Sequence, residues 1–255
     1  MNETLTLIEQ RRSLRSYAER PVESETVSAI FRAALRAPTA GAMMLYSIIE
    51  IADQTLKDKL AVSCDHQPFI AKAPLVLLFA ADYQRWYDLF LHTGIRDRCA
   101  AEGSSLRLPE EGDLLLACCD TLIAAENAVI AAESLGLGSC YIGDILENYE
   151  FHRDLLQLPK YVLPVTLLCF GYPKAPPAGK PVPRFPQEYI HFKNNYRRLE
   201  PKELDDMASR VGRLTEGTDP AEEVWKFYRR KFDSDFSREM SRSVRGMLES
   251  WKSGI

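Results

Sequence analysis

The sequence has 255 residues, 46% of them hydrophobic and 27% charged, which is ordinary for a globular protein with a buried core. Its formal net charge of −4 argues against a general nucleic-acid binder, which would carry a basic surface. The longest apolar runs, residues 73–81 and 162–170, reach about half the length of a membrane-spanning helix. No secretory leader is recognisable at the start, so we expect a cytoplasmic protein that does not act at a membrane.

Two helices are predicted before the first strand. A short helix over residues 4–11 leads into the segment RRSLRSY (11–17). Ser24 is a plausible N-cap for a second helix, because apolar residues follow it at helical spacing. Pro38 ends that helix, and residues 37–44 are predicted to form a loop.

The middle of the chain alternates between strands and a long helix. Residues 46–51 and 75–81 are predicted strands, and the second is apolar enough to be fully buried. Residues 84–112 are polar and show no core pattern, so they are predicted to be an excursion or a lid. A helix over 113–135 is predicted to bury one side, and Gly136 is expected to end it. That side consists of Leu115, Cys118, Leu122, Ala125, Val129 and Ala132.

A strand–helix–strand pattern follows, and then a proline-rich stretch. SCYIGD (139–144) and residues 161–170 are predicted strands, with a short helix over 149–157 between them. The proline-rich residues 172–186 are incompatible with regular structure, and helix returns from Asp219 onward. Such alternation of helices with apolar strands predicts an α/β or α+β sandwich.

Standard motifs for dinucleotides, hydrolysis and metals are not found. GLGSCYIG (136–143) has Tyr141 where the Rossmann pattern needs its third glycine, and it follows a helix rather than a strand. The four histidines have no paired spacing, and the six cysteines form no CxxC motif. We therefore expect no metal site and reduced, structural thiols.

RRSLRSY allows two interpretations. Three arginines and two serines could form a solvated helix end, or they could cradle an anion such as a phosphate. The late cations Lys180 and Arg184 leave the same two alternatives open.

Several segments, taken together and in this order, resemble the nitroreductase family of FMN-dependent oxidoreductases, particularly its larger flavin-reductase-like members. They cover roughly the first 190 residues. They are RRSLRSY (11–17), RAPTAGAMM (36–44), HQPFIAKAPLVLLFAAD (66–82), AAESLGLGSCYIGDI (131–145) and CFGYP with KPVPRFP (169–186).

The resemblance implies a fold and an assembly. The fold would be an α+β three-layer sandwich with a mixed β-sheet flanked by helices. The assembly would be an intertwined homodimer with two FMN sites at its interface. On this basis residues 1–200 are predicted to be the FMN-binding domain, and residues 201–255 a C-terminal helical extension.

The resemblance also implies which residues bind FMN. The early arginine segment would contact the phosphate and the ring edge, a loop would come from the partner subunit, and a late basic pair would complete the phosphate site. The expected cofactor-binding residues are Arg11, Arg12, Ser13, Arg15, Pro38, Thr39, Ala40, Gln67, Tyr141, Ile142, Gly143, Lys180 and Arg184.

The activity implied is a ping-pong transfer of hydride from NAD(P)H through flavin N5 to a nitroaromatic, quinone or flavin acceptor. No protein acid or base is needed, so no catalytic side chain is predicted, and positioning and electrostatics are left to the protein. Two alternatives stay open at this point. One is an FMN enzyme dedicated to a single specialised metabolite, and the other is a non-catalytic flavin-binding or interaction protein.

The sequence departs from the family pattern at three places. Ala42 and Met44 stand where the family usually carries Asn and Gln, which would make the site more apolar. Asp144 follows Gly143 where a second glycine is usual, and a carboxylate near flavin N5 would oppose an anionic reduced flavin. Lys180 is spaced more widely from Arg184 than in the family's compact form.

Overall fold

The computed structural model describes residues 2–176, 179, 181–211 and 218–252. The chain divides into two compact units, one made of residues 1–180 and 240–255 and the other of residues 181–239. The predicted boundary at residue 200, between an FMN-binding domain and a C-terminal extension, stays a prediction.

The first unit contains a four-stranded sheet with the strand order β1-β2-β4-β3. Its three strand pairs are antiparallel. A parallel element is added where Ser13 forms an isolated bridge with Ser139. The strands are β1 (Tyr46–Glu50), β2 (Leu75–Asp82), β3 (Gly138–Ile142) and β4 (Val162–Gly171).

Eleven α-helices are found in the described part of the chain. In chain order they are α1 (Glu3–Gln10), α2 (Ser24–Leu35), α3 (Gln54–Ser63), α4 (Pro68–Lys72), α5 (Gln84–His92), α6 (Ile95–Ala101), α7 (Glu111–Ser134), α8 (Tyr149–Leu155), α9 (Pro201–Arg210), α10 (Pro220–Lys231) and α11 (Asp235–Lys252). The patterns that predicted α1, α2, α7 and α8 are confirmed, although the N-cap of α2 is Glu23 and not the predicted Ser24, which is the first helical residue. Helices α3, α4 and α9 were not predicted from a pattern.

The sheet is covered by helices on both faces because its central strands are apolar on both sides. Leu77 and Phe79 of β2 pack with α2 and α7, and Val76 and Leu78 face the opposite core with α3 and α4. The predicted three-layer α+β architecture is therefore confirmed.

Helix α7 buries part of the side predicted: Ala125, Val129 and Ala132 are completely buried, as predicted. Ala117, Ala124 and Ala128 are completely buried, whereas Leu115 is 67% exposed and Leu122 is 47% exposed. The prediction of those two leucines as core residues is wrong. Small alanine side chains allow a helix to pack close to a sheet, and they line the side of α7 that faces β2.

By length and composition α7 is the one helix in the described ranges that could cross a membrane. Its alanine face lies in the core against the sheet, and a buried core helix has the same length and composition.

Residues 84–112 contribute to a third core cluster, so the prediction of a segment without a core pattern is wrong. Tyr87 of α5 is buried against Tyr161, which in turn meets Trp251 of α11 edge-on at a ring distance of 5.2 Å. The Trp251 indole N–H donates to the carbonyl of Glu110 at 3.1 Å. The aromatic residues of 84–112 are too few to show a sustained helical or strand period in the sequence.

The second unit is a small helical element with polar connections. Arg197 forms a bidentate ion pair with Glu203, and the Tyr189 hydroxyl donates to Asp206 at 2.7 Å. The side chains of Trp225, Tyr228 and Phe232 stack along α10. In the described part of the proline-rich stretch no helix or strand forms before residue 187, as predicted.

Candidate functional site

The arginine segment lies beside the edge strand β3. The Leu14 N–H donates to the Ser139 carbonyl at 2.8 Å, next to the parallel bridge between Ser13 and Ser139. A glycine at position 138 allows this approach, because a Cβ there would come within 2.6 Å of the Leu14 side chain. The fold therefore brings the early segment and the GLGSCYIG segment together, as the resemblance implied.

Arg11 is a half-buried cation with one guanidinium nitrogen that has no hydrogen-bond partner among the described residues. That nitrogen, Nη1, is itself buried. Burial raises the pKa of the nearby Glu133 carboxyl, and the Ser139 hydroxyl and the positive charge of Arg11 oppose that rise. A buried guanidinium nitrogen is costly to leave unpaired, so an oxygen-bearing anion such as a phosphate fits this position.

Arg12, Ser13 and Arg15 have different surroundings. The Arg12 side chain donates to the Gly179 carbonyl at 3.1 Å. Ser13 is exposed and forms the isolated parallel bridge with Ser139. The exposed Arg15 guanidinium lies 5.8 Å from the centre of the Phe69 ring. Arg15 therefore keeps an accessible charge near a planar apolar surface.

Two cavities flank the segment. One of about 630 Å³ is lined by Arg12, Leu14 and Glu133 together with residues of α1. The other, of about 880 Å³, is strongly cationic. Its cations are Arg15, Arg20, Lys72 and Lys174, and Glu19 and Phe69 also line it.

Residues at the end of β3 combine buried and open positions. The Tyr141 hydroxyl donates to Glu126 of α7 at 2.9 Å, and burial raises the pKa of this phenol. The Ile142 side chain is in the core, which leaves its backbone as the part that could meet a cofactor. At Gly143 an added Cβ would find nothing within 4 Å, so this end of the strand is open.

Gln67 and Asp144 are joined across the open end of β3. The Gln67 side-chain N–H group donates to Asp144 at 2.8 Å and to the Cys64 carbonyl at 2.9 Å. The carboxylate that departs from the family pattern is therefore paired with a residue of the predicted FMN site.

The loop carrying Pro38, Thr39 and Ala40 is tied to α7 of its own subunit through Asp120. The Thr39 hydroxyl donates to Asp120, and the Ala40 N–H donates to the same carboxylate at 3.2 Å. Pro38 is exposed. Sequence reasoning missed Asp120, which is one of several acidic residues along this helix and has no local pattern that marks it.

The described structure does not test the late basic pair. Lys180 lies outside the described residues. Arg184 is exposed and belongs to the second unit. Their proposed part in the phosphate site stays a prediction.

None of the described residues form a group of three or more His, Cys, Asp or Glu side chains that could hold a metal ion. The six cysteines are free thiols, and Cys64, Cys140 and Cys169 are buried. Burial raises the pKa of the Cys64 thiol to about 12, which makes it unreactive.

This chain belongs to the nitroreductase family, whose model matches residues 8–172. It is 34% identical to the oxygen-insensitive NADPH nitroreductase of Salmonella typhimurium, over 91% of each chain. It is also 34% identical to an FMN reductase (NADPH) of Bacillus subtilis, over 77% of this chain and 75% of the relative.

Solved structures show the same architecture. The structure of NfrA2 from B. megaterium superposes on this chain with a TM-score of 0.76 and a sequence identity of 29%. The superposition covers 98% of each chain. The resemblance drawn from the sequence segments is thus confirmed.

Proposed function

We propose that this protein, an NAD(P)H-dependent flavin oxidoreductase with FMN as its cofactor, passes hydride from NAD(P)H to a nitroaromatic, quinone or flavin acceptor in a ping-pong cycle. The observation that carries the proposal is the buried, unpartnered guanidinium nitrogen of Arg11 beside β3. The family and the relatives' names support it.

When bound, FMN supplies the group that accepts and releases hydride, and the protein's residues hold and tune it. Arg11, with Arg12 and Ser13, would hold the phosphate through charged and hydroxyl donors. Arg15 places a positive charge at the ring edge, where it favours the electron-rich form of the ring. The open position at Gly143 leaves room for the ring against the end of β3.

The homodimer is also a proposal, and the outer side of α7 supports it. Leu115, Leu116, Leu122 and Ile123 are between 40% and 67% exposed and form one apolar stripe. A second copy would cover this stripe, and the loop at Pro38 to Ala40 would reach the partner's FMN site.

Analytical ultracentrifugation of Leu115→Glu with Leu122→Glu tests the dimer. We expect the wild type and the control Ser134→Glu to sediment as dimers and the double variant as a monomer. A double variant that remains dimeric would place the interface elsewhere.

The activity is tested by anaerobic titration of the yellow holoprotein with NADPH and, separately, NADH. We expect stoichiometric bleaching of the flavin, followed by reoxidation with menadione or nitrofurazone. A protein that takes up no FMN would contradict the enzyme proposal. A protein that holds FMN but is not bleached would favour the non-catalytic alternative, and bleaching without reoxidation by general acceptors would favour a dedicated enzyme. Cytoplasmic location stays a prediction.

A further inference from the structure

The amide of Gln67 has one allowed orientation. Its nitrogen lies 2.9 Å from the Cys64 carbonyl oxygen and 2.8 Å from a carboxylate oxygen of Asp144. Both neighbours accept hydrogen bonds, so turning the amide over would bring its oxygen against two other oxygens. Both N–H hydrogens are therefore used inside the protein, and Oε1 is the atom left to meet a ligand.

A strained turn delivers Gln67 to this place. The two residues before it, Asp65 and His66, have φ values of 57° and 51°, a left-handed conformation that favours glycine. The Gln67 N–H then donates to the Ala61 carbonyl at 2.7 Å, just before α4 begins. Strain of this kind persists where the surrounding contacts hold a residue in a required position.

Asp144 reaches Gln67 from the opposite side of the open end of β3. It is the second residue of the short helical turn Gly143–Leu146 that follows the strand. Both side chains are half-buried, so the pair borders the space predicted for the flavin without being enclosed in the core.

We infer that Asp144 is a positioning residue of the cofactor site, which fixes the Gln67 amide so that a hydrogen-bond acceptor, and never a donor, faces the flavin ring. This inference rests on the proposed FMN function. Asp144 then acts on the flavin site by orienting the Gln67 amide, and not through its own negative charge. It also makes the ordered amide selective for a ring atom that carries a proton.

Two neutral variants separate the hydrogen bond from the charge. Asp144→Asn removes the negative charge but keeps an oxygen that can accept from Gln67, whereas Asp144→Ala removes both. The dissociation constant and the midpoint potential of FMN are measured for each, with Gln67 present and in a Gln67→Ala background. Asp154→Ala, which removes an exposed carboxylate on α8, is the matched control.

With Gln67 present, we expect the Ala variant to bind FMN at least threefold more weakly than the Asn variant, with a different midpoint potential. In the Gln67→Ala background the two variants should agree. The inference would be overturned if Asp144→Asn and Asp144→Ala had the same FMN dissociation constant and midpoint potential with Gln67 present. It would also be overturned if they differed by the same amount with Gln67 and with Gln67→Ala.

The folded state is checked by circular dichroism and thermal unfolding. If Asp144→Ala does not fold, Asp144→Gly replaces it, because glycine accepts any turn conformation. If the wild type itself binds no FMN, the proposed function fails. If FMN binds and the Gln67 dependence is absent, only the role of Asp144 fails.

Discussion

Replacing Gly138 by alanine tests how the arginine segment is seated on β3. The new Cβ would lie 2.6 Å from the Leu14 Cδ2 atom and 2.8 Å from the Leu14 Cβ atom. A rotation of the Leu14 side chain could relieve the first contact. The second involves an atom fixed to the backbone, so the segment itself must move away from the strand.

The cost follows from these contacts. Overpacking of a close contact costs about 1–3 kcal/mol. Moving the segment also weakens the hydrogen bond from the Leu14 N–H to the Ser139 carbonyl, which contributes about 1 kcal/mol. We therefore expect Gly138→Ala to lower the free energy of unfolding by about 2–4 kcal/mol. FMN binding should weaken too, because Arg11 and Arg15 move with the segment.

Urea unfolding followed by circular dichroism measures the first effect, and quenching of flavin fluorescence measures the second. Gly112→Ala is the control, since nothing lies within 4 Å of its added Cβ. It should be neutral or slightly stabilising, because alanine favours the helix that holds it. Equal stability of Gly138→Ala and wild type, with unchanged FMN affinity, would refute this account of how the segment is held.

Three further predictions concern stability. Burial lowers the pKa of His152, so the unfolded chain binds a proton near pH 6.5 that the folded chain does not. Stability should therefore fall as the pH drops below about 6.5, and urea unfolding should show a flatter pH dependence for His152→Gln than for the wild type. Ala42 has a φ of 57°, a backbone conformation that glycine adopts more easily than alanine. Ala42→Gly should therefore raise the free energy of unfolding, measured in urea, by about 0.5–1 kcal/mol. A lower free energy of unfolding would contradict backbone strain at Ala42. Trp251→Ala should lower the free energy of unfolding by about 3–5 kcal/mol. Trp251→Phe should lower it much less, because it loses chiefly the hydrogen bond to the Glu110 carbonyl. Equal thermal unfolding temperatures for the two variants would contradict the packing described.

Elements with a long apolar run or a clear end signal could be predicted from the sequence. Residues 75–81 form a continuous apolar run and lie in β2, one of the two central strands. Gly136, expected to end α7, has the left-handed φ of 82° that this position favours.

The buried side of α7 could not be predicted in the same way. Leu115 and Leu122 are more hydrophobic than Ala117 and Ala124, yet the alanines face the sheet. The orientation of α7 follows from close packing against the sheet, which small side chains allow. The side of a helix that packs in this way depends on the neighbouring element, which the helix sequence alone does not show.

The candidate site shows a similar division. The resemblance of the sequence segments predicts that Arg11, Gln67 and Gly143 are neighbours of one cofactor, and this stays a prediction. The hydrogen bond between Gln67 and Asp144 spans 77 residues, and no local pattern encodes it. The anchoring of Thr39 by Asp120 is equally a tertiary contact.

Comparing the binding of FMN and riboflavin to wild type, Arg11→Ala and Arg15→Ala tests the central claim most directly. The two ligands share a ring, and only FMN carries a phosphate. We predict that Arg11→Ala weakens FMN by about 1.5–3 kcal/mol and leaves riboflavin unchanged, whereas Arg15→Ala weakens both. Equal losses of FMN and riboflavin in Arg11→Ala, or no loss of either, would contradict the assignment of the Arg11 guanidinium to the phosphate.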